Sequence, residues 1–279
     1  VSTPNLIVFD SGLGGLTVYR EVVSALPHAR YLYVADDAFF PYGGRPEGAL
    51  IDHLLDLMGG LIATHRPDLV IIACNTASTL VLPQLRARFL VPFIGTVPAI
   101  KPACAASVSK RVSVLGTQAT VAREYTRALI RDFANGADVT LVGSGGLAAL
   151  AEAQLRGESV DDAAIAAELA PCFIDADGRR TDTVVLACTH YPLLLDRLIR
   201  LAPWPVRFID PAPAIARRAL DLIGTPLGTL SGTPPGPQAR EGAQILFTSG
   251  REPSPALAAA LAGFGLGEVA PDSGRQAAV

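Results

Sequence analysis

The sequence predicts an α/β fold built as two similar halves, each on a parallel sheet. Three observations predict it. Short, wholly apolar runs alternate with longer stretches of helical spacing along most of the 279 residues, the pattern of parallel strands covered by helices on both faces. At roughly 150 residues per domain the length suggests two domains. Asp68-Leu-Val-Ile-Ile-Ala-Cys74-Asn-Thr76 is echoed by Asp182-Thr-Val-Val-Leu-Ala-Cys188-Thr-His190. The echo places a cysteine at the carboxyl end of a central strand in each half, where open α/β sheets bind ligands.

The elements follow in order. Residues 6–9 read as a buried strand, 12–15 as a glycine turn and 16–26 as a helix stopped by Pro27. Strand 31–35, helix 49–65, strand 69–73, helix 77–89 and strand 91–94 complete the first cycle. Strand 111–115 starts the second, with helix 122–133, strand 139–142, helices 148–156 and 161–172, strand 183–187 and helix 193–200. The Gly/Pro/Thr-rich stretch 224–237 reads as a mobile surface loop. Residues 245–247 suggest one more strand, 255–262 a final helix and 271–279 a frayed tail.

Composition narrows the function classes. Lys and Arg total 23 against 26 Asp and Glu, a net charge of −3, without the basic surplus of a nucleic-acid binder. Hydrophobic residues make up 50% and charged residues 18%, which opposes disorder. No apolar run nears the ~20 residues that span a bilayer. The start, Val-Ser-Thr-Pro-Asn, has no basic stretch leading into an apolar one, so a cytoplasmic location is expected. The four cysteines, at 74, 104, 172 and 188, include no Cys-x-x-Cys pair, and no disulfide framework is expected.

Cys74 and Cys188 are the leading candidates for chemistry. A thiol acts as a base only as thiolate, and the start of a helix favours that anion. Asn75, Thr76 and Thr189 beside them can hydrogen-bond a ligand or cap the following helices. Asp10-Ser11 precedes Gly12-Leu-Gly14-Gly15; its carboxylate can orient a substrate ammonium, or cap. In Pro41-Tyr42-Gly43-Gly44 the glycines would let backbone N–H groups approach a carboxylate, although an ordinary turn is the plainer reading. Thr117 and Thr120 offer hydroxyls that suit a carboxylate or cap a helix. His190, two residues past Cys188, is a natural acid/base partner. Glu152, in an Ala-rich helix, reads locally as a solvated face. No cluster has zinc-ligand spacing, so no metal is expected. Cys104 and Cys172 lack polar companions and read as bystanders.

Phe9-Asp10-Ser11-Gly12-Leu-Gly14-Gly15, Pro41-Tyr42-Gly43, Ala73-Cys74-Asn75-Thr76-Ala77-Ser78 and Ala187-Cys188-Thr189-His190-Tyr191-Pro192-Leu193 together resemble the bacterial glutamate racemases of the aspartate/glutamate racemase family. Gly116-Thr117-Gln-Ala-Thr120 and Phe247-Thr248-Ser249-Gly250 resemble family segments less distinctively. The resemblance implies two flavodoxin-like, doubly wound parallel-sheet domains related by pseudo-symmetry, with the active site in the cleft between them. It places the first domain at 1–98 plus 208–279 and the second at 99–207. It implies a homodimer that interconverts L- and D-glutamate for peptidoglycan synthesis without pyridoxal phosphate or metal. Cys74 would deprotonate D-glutamate and Cys188 L-glutamate, with Asp10 assisting the first and His190 and Glu152 the second. Ser11, Tyr42, Gly43, Asn75, Thr76 and Thr189 match the family's substrate-contacting positions.

The chain departs from the family in two places. Gly143-Ser144-Gly145-Gly146 stands where a Cys-Pro stretch is frequent, and Asp37 follows Asp36 where a neutral polar residue is common. Aspartate or another acidic amino acid as substrate, a thiol redox protein using Cys74 and Cys188, and a ligand-clamping module are the competing readings.

Overall fold

The computed structural model describes residues 3–224 and 243–270. The expected loop at 224–237, apart from Gly224, and the tail at 271–279 lie outside them. The chain divides into two units, Val1–Thr96 with Ala212–Val279, and Val97–Pro211.

The first unit opens with β1 (Asn5–Asp10), α1 (Leu16–Ala25), β2 (Arg30–Ala35), α2 (Glu47–His65), β3 (Leu69–Ile72), α3 (Asn75–Arg88) and β4 (Phe93–Gly95). The second comprises α4 (Ile100–Ala106), β5 (Arg111–Thr117), α5 (Gln118–Ala122), α6 (Glu124–Phe133), β6 (Asp138–Ser144), α7 (Leu147–Leu155), α8 (Asp162–Leu169), β7 (Asp175–Ala176), β8 (Arg179–Arg180), β9 (Thr183–Ala187), α9 (Leu195–Leu201) and β10 (Arg207–Ile209). The chain then returns to the first unit through α10 (Ala212–Ile223), β11 (Ala243–Phe247), α11 (Pro255–Gly263) and β12 (Glu268–Val269).

Among the described residues the first unit's sheet has the order β12-β11-β2-β1-β3-β4 and the second unit's β10-β9-β5-β6, with every pairing parallel. Read outward from the same side, β2-β1-β3-β4 and β6-β5-β9-β10 are one arrangement used twice. The repeat reaches side-chain level. In each echo the opening Asp fastens the start of the neighbouring strand: Asp68 accepts the Asn5 N–H at 2.8 Å, and Asp182 accepts the N–H groups of Val108 and Ser109 at 2.8 and 2.7 Å. Half of the echo is therefore structural.

Strand periodicity aims the cysteines. Val70, Ile72 and Cys74 contribute to the core beneath α2 and α3. Val184, Leu186 and Cys188 contribute to the core on the α7–α8 side, while Val185 and Ala187 face the opposite core with Ile100 and Cys104. Side chains two residues apart share one face of a strand. Burying each large apolar side chain in these rows contributes ~1.5–3 kcal/mol.

Several boundaries differ from the sequence reading. The helix expected at 122–133 is two helices, because Thr117 caps an earlier start and Arg123 between them is extended. The helix expected at 77–89 begins at Asn75, directly after Cys74. Pro192 and Pro171 mark short 3-10 turns, Tyr191–Leu194 before α9 and Ala170–Cys172 after α8. The Tyr42 loop is itself a 3-10 turn, Tyr42–Gly44, after a cis Phe40–Pro41 bond. The sequence reading did not include helices α4 and α10, strands β10 and β12 or the β7–β8 hairpin; all but α10, whose Ile215, Ala216 and Ala219 recur on one buried face, are too short to show a clear period.

Candidate active site

In the first unit, Cys74 ends the β3 segment and is the N-cap of α3. The N–H groups and positive dipole end of the first helical turn favour negative charge at its sulfur. Its Sγ donates to Ser11 Oγ at 3.6 Å. Asp10, at the end of β1, is fully buried, and its Oδ2 accepts the Gly12 N–H at 3.0 Å. Asp10 thus braces the turn that precedes α1, whose N-cap is Gly15. The glycine turn is required by space: a Cβ on Gly15 would lie 2.7 Å from Asp10 Cβ and 2.9 Å from the Tyr33 hydroxyl. That hydroxyl donates to Gly12 O at 2.9 Å.

Asn75 and Thr76 form the buried first turn of α3. Both amide atoms of Asn75 are buried without a hydrogen-bond partner. Buried polar groups are seldom left so, and this one has donor and acceptor to offer a ligand. Tyr42 is buried and donates its hydroxyl to Asp36. Burial, foremost, and then the Asp36 carboxylate push its pKa well above 10.0; Cys74 and Asp10 push the same way. Gly43 beside it is half-buried. Asp36 also meets His53 Nε2 at 2.6 Å and accepts from Thr248 Oγ1 at 2.6 Å. The second aspartate has its own partner, since Asp37 accepts from Ser249 Oγ at 2.5 Å and Ser249 N–H at 2.9 Å. The Thr248-Ser249 segment thus clasps the loop that carries Tyr42.

In the second unit, Cys188 follows β9. His190 Nδ1 lies 3.8 Å from Cys188 Sγ, and His190 Nε2 lies 2.9 Å from Glu152 Oε1. The other carboxylate oxygen, Oε2, accepts from Arg156 Nη2 at 2.8 Å. His190 and Glu152 are 2% and 4% exposed, so Glu152 is no solvated face. The Gly143-Ser144-Gly145-Gly146 departure still launches α7, which carries Glu152: Ser144 Oγ accepts the Leu147 N–H at 3.0 Å. Thr189 is buried. Thr117 behaves as a helix cap, accepting the Thr120 N–H at 3.1 Å and donating to Thr120 Oγ1 at 3.0 Å. Tyr191 is buried, and its pKa is raised well above 10.0 by burial first and the Cys188 sulfur next.

The two half-sites differ in the source of their polar help. Phe9 pairs with Ile72, and Leu115 with Leu186, so Ser11 corresponds to Thr117 and Asp10 to Gly116. A Cβ on Gly116 would already sit 3.2 Å from Val121 and 3.3 Å from Ala187, so a side chain there would press on both. The second unit draws its ionisable partner from His190 instead. Of the remaining thiols, burial pushes Cys172 up to about 12 and also raises Cys104, which suits bystanders. Among the described residues no three His, Cys, Asp or Glu side chains cluster as metal ligands. Sequence reasoning missed Asp36, Thr248, Ser249, Tyr191 and Arg156. The doubled Asp and the Thr-Ser-Gly motif were the available signals for three of them, and helical i,i+4 spacing from Glu152 for Arg156.

Residues 12–219 match the family model described as Asp/Glu/Hydantoin racemase. The chain belongs to this family. It is 52% identical over 262 residues to the glutamate racemase of Brucella canis, covering 94% of this chain and 92% of that one. It is 53% identical over 264 residues to the glutamate racemase of Sinorhizobium medicae, covering 94% of each. Among solved racemase structures, Escherichia coli glutamate racemase in complex with L-glutamate and the activator UDP-MurNAc-Ala has a TM-score of 0.84 at 36% identity, covering 96% of this chain and 97% of that one. Thermus thermophilus glutamate racemase in complex with β-chloro-D-alanine has a TM-score of 0.69 at 31% identity, covering 98% of each. No described helix is long and apolar enough to cross a membrane.

Proposed function

We propose that this protein interconverts L- and D-glutamate by a two-base mechanism, with one thiol from each unit and no external cofactor. The observation that carries the reading is the repeated sheet with a cysteine at the same strand end in each copy, one beside Ser11 and the other beside His190, which Glu152 holds in turn. Racemisation must take the Cα proton from one face and return a proton to the other. One base does not reach both faces, and two opposed thiols do.

In the L-to-D direction, Cys188 as thiolate takes the Cα proton. The C–H electron pair stays on Cα, delocalised into the α-carboxylate. Cys74 as thiol gives its proton to the opposite face. The enzyme ends with its thiol and thiolate exchanged, ready for the reverse turn. Glu152 holds His190 through Nε2, so Nδ1 is left to exchange a proton with Cys188, the logic of a base oriented by a third group. Asp10 serves Cys74. Ser11, Gly43, Asn75, Thr76 and Thr189 would hold the substrate, and the unpaired amide of Asn75 supports that role. Hydrogen bonds to the carboxylate strengthen as charge develops there.

Supply of D-glutamate for peptidoglycan is the metabolic role, in keeping with the E. coli relative's activator, a UDP-MurNAc derivative. A cytoplasmic homodimer completes the proposal on family resemblance.

Circular dichroism of L- and D-glutamate, with aspartate as control, tests the reading on protein without added cofactor. Cys74→Ser and Cys188→Ser are each expected to lower kcat/KM by roughly 10²- to 10⁴-fold, the scale of a general base. Pyridoxal phosphate or a chelator should change nothing. Near wild-type racemisation by either variant overturns the two-base assignment, and loss of activity on exhaustive chelation overturns the metal-free one.

A further inference from the structure

We infer that Arg156 is a positioning residue for the Cys188 half-site. The inference rests on the racemase reading and extends it one step outward. Glu152 has two carboxylate oxygens with different duties. Oε1 faces His190 Nε2 at 2.9 Å and Oε2 takes Arg156 Nη2 at 2.8 Å. Glu152 is 6% exposed at its side chain and Arg156 41%. The last torsion of a carboxylate side chain is broad, so each hydrogen bond to it narrows the range it samples. The guanidinium occupies the outer oxygen, which fixes the carboxylate plane and so fixes where the imidazole stands.

The linkage follows from helix geometry. Arg156 is the C-cap of α7, and its N–H bonds to Glu152 O. Residues four apart share a helix face, and a cation is favoured at a helix C-terminus. The arginine is therefore placed by the helix itself. It supports the acid/base chain Arg156–Glu152–His190–Cys188 from the solvent side and touches no reacting atom. In the first unit Asp10 is instead placed on β1 and accepts the Gly12 N–H.

The test uses the whole protein and substrates deuterated at Cα. The equilibrium constant of racemisation is one, so kcat/KM must fall equally in both directions. The isotope effects need not change equally. For Arg156→Gln, kcat/KM should fall about 3- to 10-fold, a modest loss because the ion pair is partly solvated. The deuterium effect on kcat/KM should rise for L-glutamate, whose proton Cys188 takes, and fall for D-glutamate. Arg156→Lys, which restores the cation, should return both effects towards wild type. A merely structural role predicts a lowered melting temperature and no divergence. Isotope effects that stay equal to wild type, or move together, overturn the inference while the racemase reading stands. A wild-type chain that racemises neither enantiomer overturns both.

Discussion

Tyr42 shows how one side chain can feel the charges of Cys74 and Asp10 while its hydroxyl is engaged by another carboxylate. The family resemblance implies a substrate contact at Tyr42, and in the structure its hydroxyl donates to Asp36. Its raised pKa means that the folded state retains the phenolic proton where an unfolded chain, at about 10.0, releases it. The stability this contributes is complete below pH ~10 and is lost as pH climbs from there towards the folded-state value. The melting temperature of the wild type should therefore drop more steeply above pH ~10 than that of Tyr42→Phe. At neutral pH the variant should be less stable by about 1–3 kcal/mol, because buried Asp36 loses a donor. Parallel pH profiles of the two proteins would refute this account. At this scale the two cysteines were legible because their context is repeated in the chain itself. Glu152 was legible only through the family resemblance: its Ala-rich neighbours describe a helix, and tertiary packing alone turns that face towards His190.

Gly15 carries the demand at the scale of elements, where the β1–α1 turn must bring helix and sheet together. The void a methyl group would fill is already occupied by Asp10, Tyr33 and Ala73. Gly15→Ala should cost about 1–3 kcal/mol, as overpacking does, and should lower kcat/KM by displacing Asp10. Urea unfolding measures the first, and an unchanged midpoint contradicts the crowding. Strands and long helices were legible because their periodicity is local. The Thr248–Asp36 and Ser249–Asp37 bonds join residues 212 apart, and no local pattern announces that β11 returns beside β2. Proline turns displaced the start of α9 and the end of α8 for a similar reason, since spacing alone does not distinguish a 3-10 turn from the α-helix it adjoins.

For the whole molecule, the repeated strand order explains why the echo could be heard in the sequence. A buried parallel strand needs an apolar run, a strand start needs its neighbour fastened, and a site needs its thiol at the carboxyl end. All three fall within nine consecutive residues, twice. The second unit is one continuous segment, Val97–Pro211, with an apolar core on each side of its sheet. Expressed alone, residues 97–211 should unfold cooperatively in urea, as a domain with its own core does. The fragment should not racemise glutamate, because it lacks Cys74. A fragment without a cooperative transition would mean that the unit depends on its neighbour for folding.

The clasp on the Tyr42 loop also orders events in time. Ribosomes make the Asp36-Asp37 loop early and Thr248-Ser249 more than two hundred residues later. A nascent chain can therefore brace the Tyr42 loop only after residues 248–249 have left the ribosome, and everything made in between must hold its shape without that brace.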